Sequence, residues 1–309
     1  MRNLKRILSL ILTASILGAC SAAPTTSTPT TASKQGGLIY TTFYPVYDLT
    51  KRIVGDKMEV KMLIKANEEP HSFELKAIDR AALHDADLVV YNGANMENFI
   101  PDLRASLKDD KKFLNLSQGL TLLENKSDLD DGEHNSVNPH TWLSVKNAME
   151  QLYTIYERMA VIDPANEKYY KTNLDKSLAE FSELDKKFTE TIGKISKKEK
   201  YFVVSHAAFN YLAKDYGLKQ VAVTGISPED EPTAAQLKKI ADFVKSNGIK
   251  TILFEGKTTP KVAETLARET GTKTDTIYTL ENLTEEEAKM GYIHLMEHNL
   301  QTLAKVLSE

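Results

Sequence analysis

Cysteine is almost absent: Cys20 is the only one in 309 residues. A lone thiol excludes an internal disulfide framework. The chain also has no GxGxxG, no Walker-type loop and no GxSxG, so nothing in it supports phosphate cradling or hydrolase chemistry. No basic stripe offsets a net charge of −4, which argues against a nucleic-acid partner. The N-terminal apolar stretch, residues 7–17, is too short to span a bilayer comfortably. What is present is 41% hydrophobic and 27% charged. That is the composition of a globular chain, soluble once any targeting segment is removed and long enough for two domains with cores of their own.

The first residues read as a signal peptide. Arg2, Lys5 and Arg6 precede the apolar stretch, which ends in Leu17-Gly18-Ala19-Cys20, a run that looks like a bacterial lipobox. Cleavage after residue 19 and lipid attachment at Cys20 explain both the position and the solitude of that cysteine. Residues 20–37 are rich in Ser, Thr and Pro, with no large aliphatic or aromatic residue before Leu38. They read as a flexible tether. The mature chain is thus expected at the outer face of a cell membrane, held by lipid, with its folded part beginning near Leu38.

Between residues 165 and 196 the only glycine is Gly193 and there is no proline. Leu174, Leu178, Phe181, Leu184, Phe188, Ile192 and Ile195 recur in steps of three and four, one apolar stripe down a helix. Such a helix would run about 48 Å at 1.5 Å per residue, with Asp163 as a possible N-cap and Pro164 at its first position. On either side the pattern alternates strand with helix, with helices expected among others at 96–107, 207–216 and 285–307. Strands are expected at 38–43, 58–64, 86–91 and 113–116, and again at 201–205, 220–223, 251–254 and 274–278. The predicted fold is α/β: two lobes of mainly parallel four-stranded sheet with flanking helices, 38–163 and 198–309, joined by one spine helix over 164–197. Open parallel sheets bind ligands at the carboxyl ends of their strands.

Three histidines fall at such places. His71 lies in the loop after the second strand, His140 at the start of a helix, and His206 directly after YFVVS. Neutral imidazole is the usual ligand of a borderline-soft divalent cation. A carboxylate after a strand of the second lobe should complete the set, and both Glu281 and Glu255 qualify. His84 reads as solvated. His294 and His298 are four residues apart on the last helix, away from the inferred cleft. His134, in the acidic loop 122–137, is a possible accessory metal-gathering residue. Trp142 is expected to pack beneath the site.

The motifs EEPHSFE at 68–74, ADLVVYNGANMENF at 86–99, NPHTWL at 138–143, SHAAFNYLAKDYGL at 205–218, ISPEDEPTAAQL at 226–237 and YTLENLTEEE at 278–287 resemble those of a known family. It is the metal-receptor lipoproteins of bacterial ABC importers, in their zinc-binding branch, and the likeness extends over the whole mature chain. It is greatest to the streptococcal-type zinc receptors, some of which are also described as laminin-binding lipoproteins. The resemblance implies zinc as the bound ion, with His71, His140, His206 and Glu281 as its ligands, and an ABC permease as partner. The chain is expected to be a monomer and not an enzyme, because four protein ligands leave no position for a catalytic water. The family also implies two alternatives: an adhesin for a host matrix protein such as laminin, and a manganese receptor. The manganese branch carries glutamate where His206 stands, and this chain departs from it there. It also departs from the many zinc receptors whose acidic loop holds a long His-rich run.

Overall fold

The computed structural model describes residues 36–125, 136–255 and 261–309. The signal peptide, Cys20, nearly all of the tether and His134 lie outside the described residues. In chain order the first sheet and its helices are β1 (Leu38–Thr41), α1 (Tyr44–Val54), β2 (Glu59–Met62), α2 (Ala77–Asp85), β3 (Leu88–Tyr91), α3 (Ile100–Leu107) and β4 (Phe113–Asn115). Two long helices follow, α4 (Val145–Ile162) and α5 (Glu167–Gly193). The second sheet and its helices are β5 (Tyr201–Val204), α6 (Asn210–Tyr216), β6 (Lys219–Ala222), α7 (Ala234–Ser246), β7 (Thr251–Glu255), α8 (Lys261–Thr270), β8 (Lys273–Ile277), α9 (Glu285–Met290) and α10 (Tyr292–Ser308).

The two sheets share one topology, β2-β1-β3-β4 and β6-β5-β7-β8, and every pairing in both is parallel. The central strand β3 is buried along its whole length, as is β7, which is what helices on both faces require. Both sheets run from their first strand outward in two directions, so each has a switch point with its crevice at the carboxyl ends. The predicted fold class is the one found.

The spine is shorter than its sequence pattern. Its α-helical part has 27 residues, about 40 Å at 1.5 Å per residue. Asp163 does not cap it: a 3-10 turn, Pro164–Asn166, comes first, and the Asp163 carboxylate instead accepts from Asn166 Nδ2 at 2.8 Å and the Tyr170 hydroxyl at 2.6 Å. The apolar stripe faces inward as expected, with Leu174, Phe181, Leu184, Phe188 and Ile192 buried and Tyr170 added to them.

Three other boundaries moved for identifiable reasons. The helix expected from Met96 starts at Ile100, because Gly93, Ala94 and Asn95 all have positive φ and Pro101 stands in the first turn. The closing helix expected over 285–307 is two helices, α9 and α10, broken at Gly291 with φ 82° and ψ 156°, a conformation open essentially to glycine alone. The helix expected from Ala207 starts at Asn210. Its would-be first turn is diverted: Ala207 N–H donates to Gly225 O at 2.8 Å and Phe209 N–H to Gln220 Oε1 at 2.6 Å. That diversion positions His206.

Candidate metal centre

Each of the four expected residues arrives on a different segment. His71 comes from the irregular loop after β2, where its N–H donates to Glu69 Oε1 at 3.0 Å. His140 precedes the 3-10 turn Thr141–Leu143. Asn92, just past β3, holds the residues on either side of it, its Nδ2 donating to the Pro139 carbonyl and its Oδ1 accepting from the Thr141 hydroxyl, both at 2.8 Å. His206 follows β5 by two residues. Glu281 follows β8, and the residue before it, Leu280, is buried with φ 65°. A non-glycine residue in the left-handed region costs about 1 kcal/mol. Here the turn sends the Leu280 side chain into the core and the next side chain into the cleft.

The four side chains meet. His140 Nε2 lies 3.2 Å from His71 Nε2 and 3.1 Å from His206 Nε2. Glu281 Oε2 lies 3.5 Å from His71 Nε2 and 3.4 Å from His140 Nε2, and Oε1 lies 3.1 Å from His206 Nε2. Ligands at zinc-type bond lengths of 2.0–2.1 Å around a tetrahedron are about 3.3 Å apart, so the cluster has the dimensions of a four-coordinate divalent site. His140, His206 and Glu281 are buried, and only His71 keeps partial exposure. The opening is therefore on the His71 side.

The ring nitrogens away from the centre are held in turn. His140 Nδ1 lies 2.9 Å from Asn138 Oδ1. His206 Nδ1 lies 2.5 Å from Glu255 Oε1, and Ser205 Oγ also donates to that oxygen. Both Nδ1 atoms therefore carry hydrogen, so Nε2 is the nitrogen that each ring turns toward the centre. Glu255, the competitor for the fourth place, stands behind His206 rather than in the cluster. Trp142 lies beneath, its ring centroid 5.2 Å from that of His140 and its Nε1–H donating to Thr279 O at 2.7 Å.

The electrostatics match a cation at the centre. Neither buried Glu281 oxygen meets an aligned donor. Burial works against the Glu281 charge, but the three imidazoles hold its carboxyl well below the usual range. Burial pulls His140 down to about 4. Burial also opposes charge on His206, yet Glu255 and Glu281 outweigh it and raise that ring to about 10.

The remaining histidines stand apart. His84 is exposed beside Asp85. His294 is exposed on α10, and His298 lies half-buried against Tyr278 at 4.9 Å between ring centroids. Among the described residues, the metal-type cluster is formed by His71, His140, His206 and Glu281. Sequence reasoning did not find Asn138. The available signal was Asn-Pro two residues before His140, the pattern of a side chain accepting from the N–H two residues on.

Three comparisons place the chain. It is 40% identical over 304 residues to the high-affinity zinc uptake system protein ZnuA of Bacillus subtilis, covering 93% of this chain and 95% of that one. It is 41% identical over 281 residues to the zinc-binding lipoprotein AdcA of Streptococcus pneumoniae, covering 88% of this chain, and it spans about half of AdcA, 56%. The crystal structure of the Zn(II)-bound ZnuA-like domain of AdcA superimposes with TM-score 0.76 at 39% identity, over 89% of this chain and all of that domain. The laminin-binding protein Lbp of Streptococcus pyogenes has TM-score 0.76 at 36% identity, over 88% of this chain and all of that one. The family model for the periplasmic zinc-uptake complex component A, ZnuA, matches residues 39–306, and the chain belongs to that family.

Proposed function

We propose that this chain is an extracellular zinc receptor that captures Zn2+ between its two lobes and delivers it to an ABC permease. The observation that carries the reading is the convergence of three imidazole nitrogens and one buried carboxylate at 3.1–3.5 Å. His71, His140, His206 and Glu281 are the ligands in this reading, and the relatives' zinc-binding names support the ion. Three imidazoles and one carboxylate suit zinc, whereas manganese prefers more oxygen donors in an octahedron. Zinc is cargo here: four protein donors leave no place for a catalytic water.

The folded part divides in this reading into lobes 38–163 and 198–309 with 164–197 between them, a division supported by the confinement of one sheet to 38–115 and the other to 201–277. Lipidation at Cys20, with residues 20–37 as tether, would keep the receptor at the cell membrane within reach of its permease. AdcA's description as a lipoprotein supports this. Among the described residues no helix is long and apolar enough to cross a membrane.

Metal analysis of protein purified without added metal, followed by X-ray absorption at the zinc edge, tests the reading. One zinc per chain with three imidazole nitrogens and one carboxylate oxygen is expected. A majority of another metal, or a site with two or more water ligands, would overturn it. The Lbp likeness favours a second reading, adhesion to a host matrix protein. Saturable laminin binding that persists in a His140→Ala chain would make adhesion an activity independent of the metal.

A further inference from the structure

Asn138 is fully buried between the lobes. Its amide offers two acceptor positions and two donors, and all four are engaged. Oδ1 accepts from the His140 backbone N–H at 3.0 Å and faces His140 Nδ1 at 2.9 Å. Nδ2 donates to the Ala207 carbonyl at 2.7 Å and to Asn210 Oδ1 at 3.1 Å. Two of these partners have only one role: a backbone N–H donates and a carbonyl accepts. They decide which end of the amide faces which lobe. With Oδ1 toward His140, Nδ1 must carry the proton and Nε2 must present its lone pair. The backbone carbonyl of Asn138 also accepts from the second lobe, from the Tyr211 hydroxyl at 2.8 Å.

Ala207 is the residue after His206. One amide therefore grips a ligand of the first lobe by its ring and a ligand of the second lobe by the adjacent peptide. We propose that Asn138 is a positioning residue that couples the two halves of the metal site, setting the His140 tautomer and locking the 206–210 turn in its metal-gripping arrangement. The inference rests on the zinc reading given above. The first-lobe side of the coupling is fixed, because Asn92 already holds Pro139 and Thr141. The second-lobe side is tied into its own lobe by Ala207 N–H to Gly225 O and Phe209 N–H to Gln220 Oε1, so a parting of the two halves breaks the Asn138 contacts. If the turn withdraws, Asn138 is left with two buried donors and no acceptor, so partial opening is disfavoured. His206 and the Asn138 clamp are then released together or not at all.

Two substitutions separate the two roles. Asn138→Asp keeps both acceptor contacts with His140 but turns an oxygen toward Ala207 O and Asn210 Oδ1. Asn138→Ala removes both halves. The first measurement is the ring nitrogen shifts of His140 in metal-free protein, by long-range 1H–15N correlation. The Nδ1–H tautomer is expected in the parent and in Asn138→Asp, and a tautomer mixture in Asn138→Ala. The second is zinc dissociation into excess chelator by stopped flow. Dissociation about tenfold faster in Asn138→Asp and about a hundredfold faster in Asn138→Ala is expected from the usual effect of losing a ligand's support. An unchanged tautomer in Asn138→Ala, or parent-like dissociation in Asn138→Asp, overturns the coupling. Should Asn138→Ala fail to fold, Asn138→Asp alone decides. Failure of the parent to bind zinc would strike at the reading of the site and not at the tautomer result, which needs no metal.

Discussion

His140 and His206 are both fully buried imidazoles, yet their surroundings drive them apart. A neutral amide backs His140, and burial brings it to about 4. Two carboxylates flank His206, and against burial they lift it to about 10. At pH 8.5 the metal-free His206 ring therefore carries a proton on both nitrogens, whereas His140 is neutral with its one proton on Nδ1. With His206 as a ligand, as proposed, zinc would need its Nε2 lone pair and would expel the proton there. Because the metal binds the deprotonated ring, raising the pH removes a competitor, and affinity should climb until about pH 10. From unperturbed imidazoles the same dependence would end near pH 6.5. We expect at least one proton released per zinc at pH 8.5, read from the dependence of calorimetric binding enthalpy on the buffer's ionisation enthalpy. Release near zero would place His206 among ordinary histidines. His71 and His206 were legible in sequence because each is the chemistry-bearing residue in the loop after a strand, and His140 because it opens a helical segment. Asn138 was not, because its second-lobe partners are 69 and 72 residues away. Strand position alone left Glu281 and Glu255 both open, and it was the resemblance that singled out Glu281. In the structure the left-handed turn at Leu280 shows which carboxylate reaches the centre.

Helix α5 was legible as an element and misjudged at its start. Its interior follows from the spacing of apolar residues, which burial rewards whatever lies across from it. Its start depended on a partner: the Asp163 carboxylate has the Tyr170 hydroxyl within 2.6 Å and is drawn to it instead of the helix N–H groups. Gly291 shows the opposite case, a break dictated by backbone alone inside a stretch whose periodicity runs on. Packing gives α5 its weight. Phe181 is fully buried, stacks on Tyr292 of α10 at 4.9 Å between ring centroids, and lies under the Arg52 guanidinium of α1 at 5.4 Å. It thus touches an element of each lobe. Replacing it by Ala should destabilise the protein by about 3–5 kcal/mol, the usual cost of emptying a buried aromatic site. Urea unfolding of the metal-free protein measures this. A loss under about 1 kcal/mol would mean that the site collapses without consequence.

The way the lobes share material decides how the molecule can move. One apolar cluster runs from β1 and β3 of the first sheet through α4 and α5 to Phe202, Leu253 and Ile277 of the second, and a smaller cluster occupies only the outer part of the second lobe. Hydrogen bonds cross between the lobes as well. Tyr44 OH donates to Ala288 O at 2.9 Å, Tyr292 OH to Trp142 O at 2.5 Å, and Leu283 N–H to Ala66 O at 2.6 Å. A hinge would have to open this common core and strand these groups, in addition to bending an unbroken 27-residue helix. Local rearrangement of the loops that carry the ligands breaks far less. Zinc release should therefore leave the lobes in place. Nitroxide labels at Ile78 on α2, 76% exposed, and at Lys238 on α7, whose side chain is 77% exposed, report on the two lobes once Cys20 is replaced by Ser. Electron–electron resonance should give superimposable distance distributions with and without zinc. Labels on the 206–210 turn, measured against the same α2 position, should broaden when the metal is removed. A separate long-distance population between α2 and α7 in metal-free protein would show that the lobes do hinge and that the shared core does not hold them together.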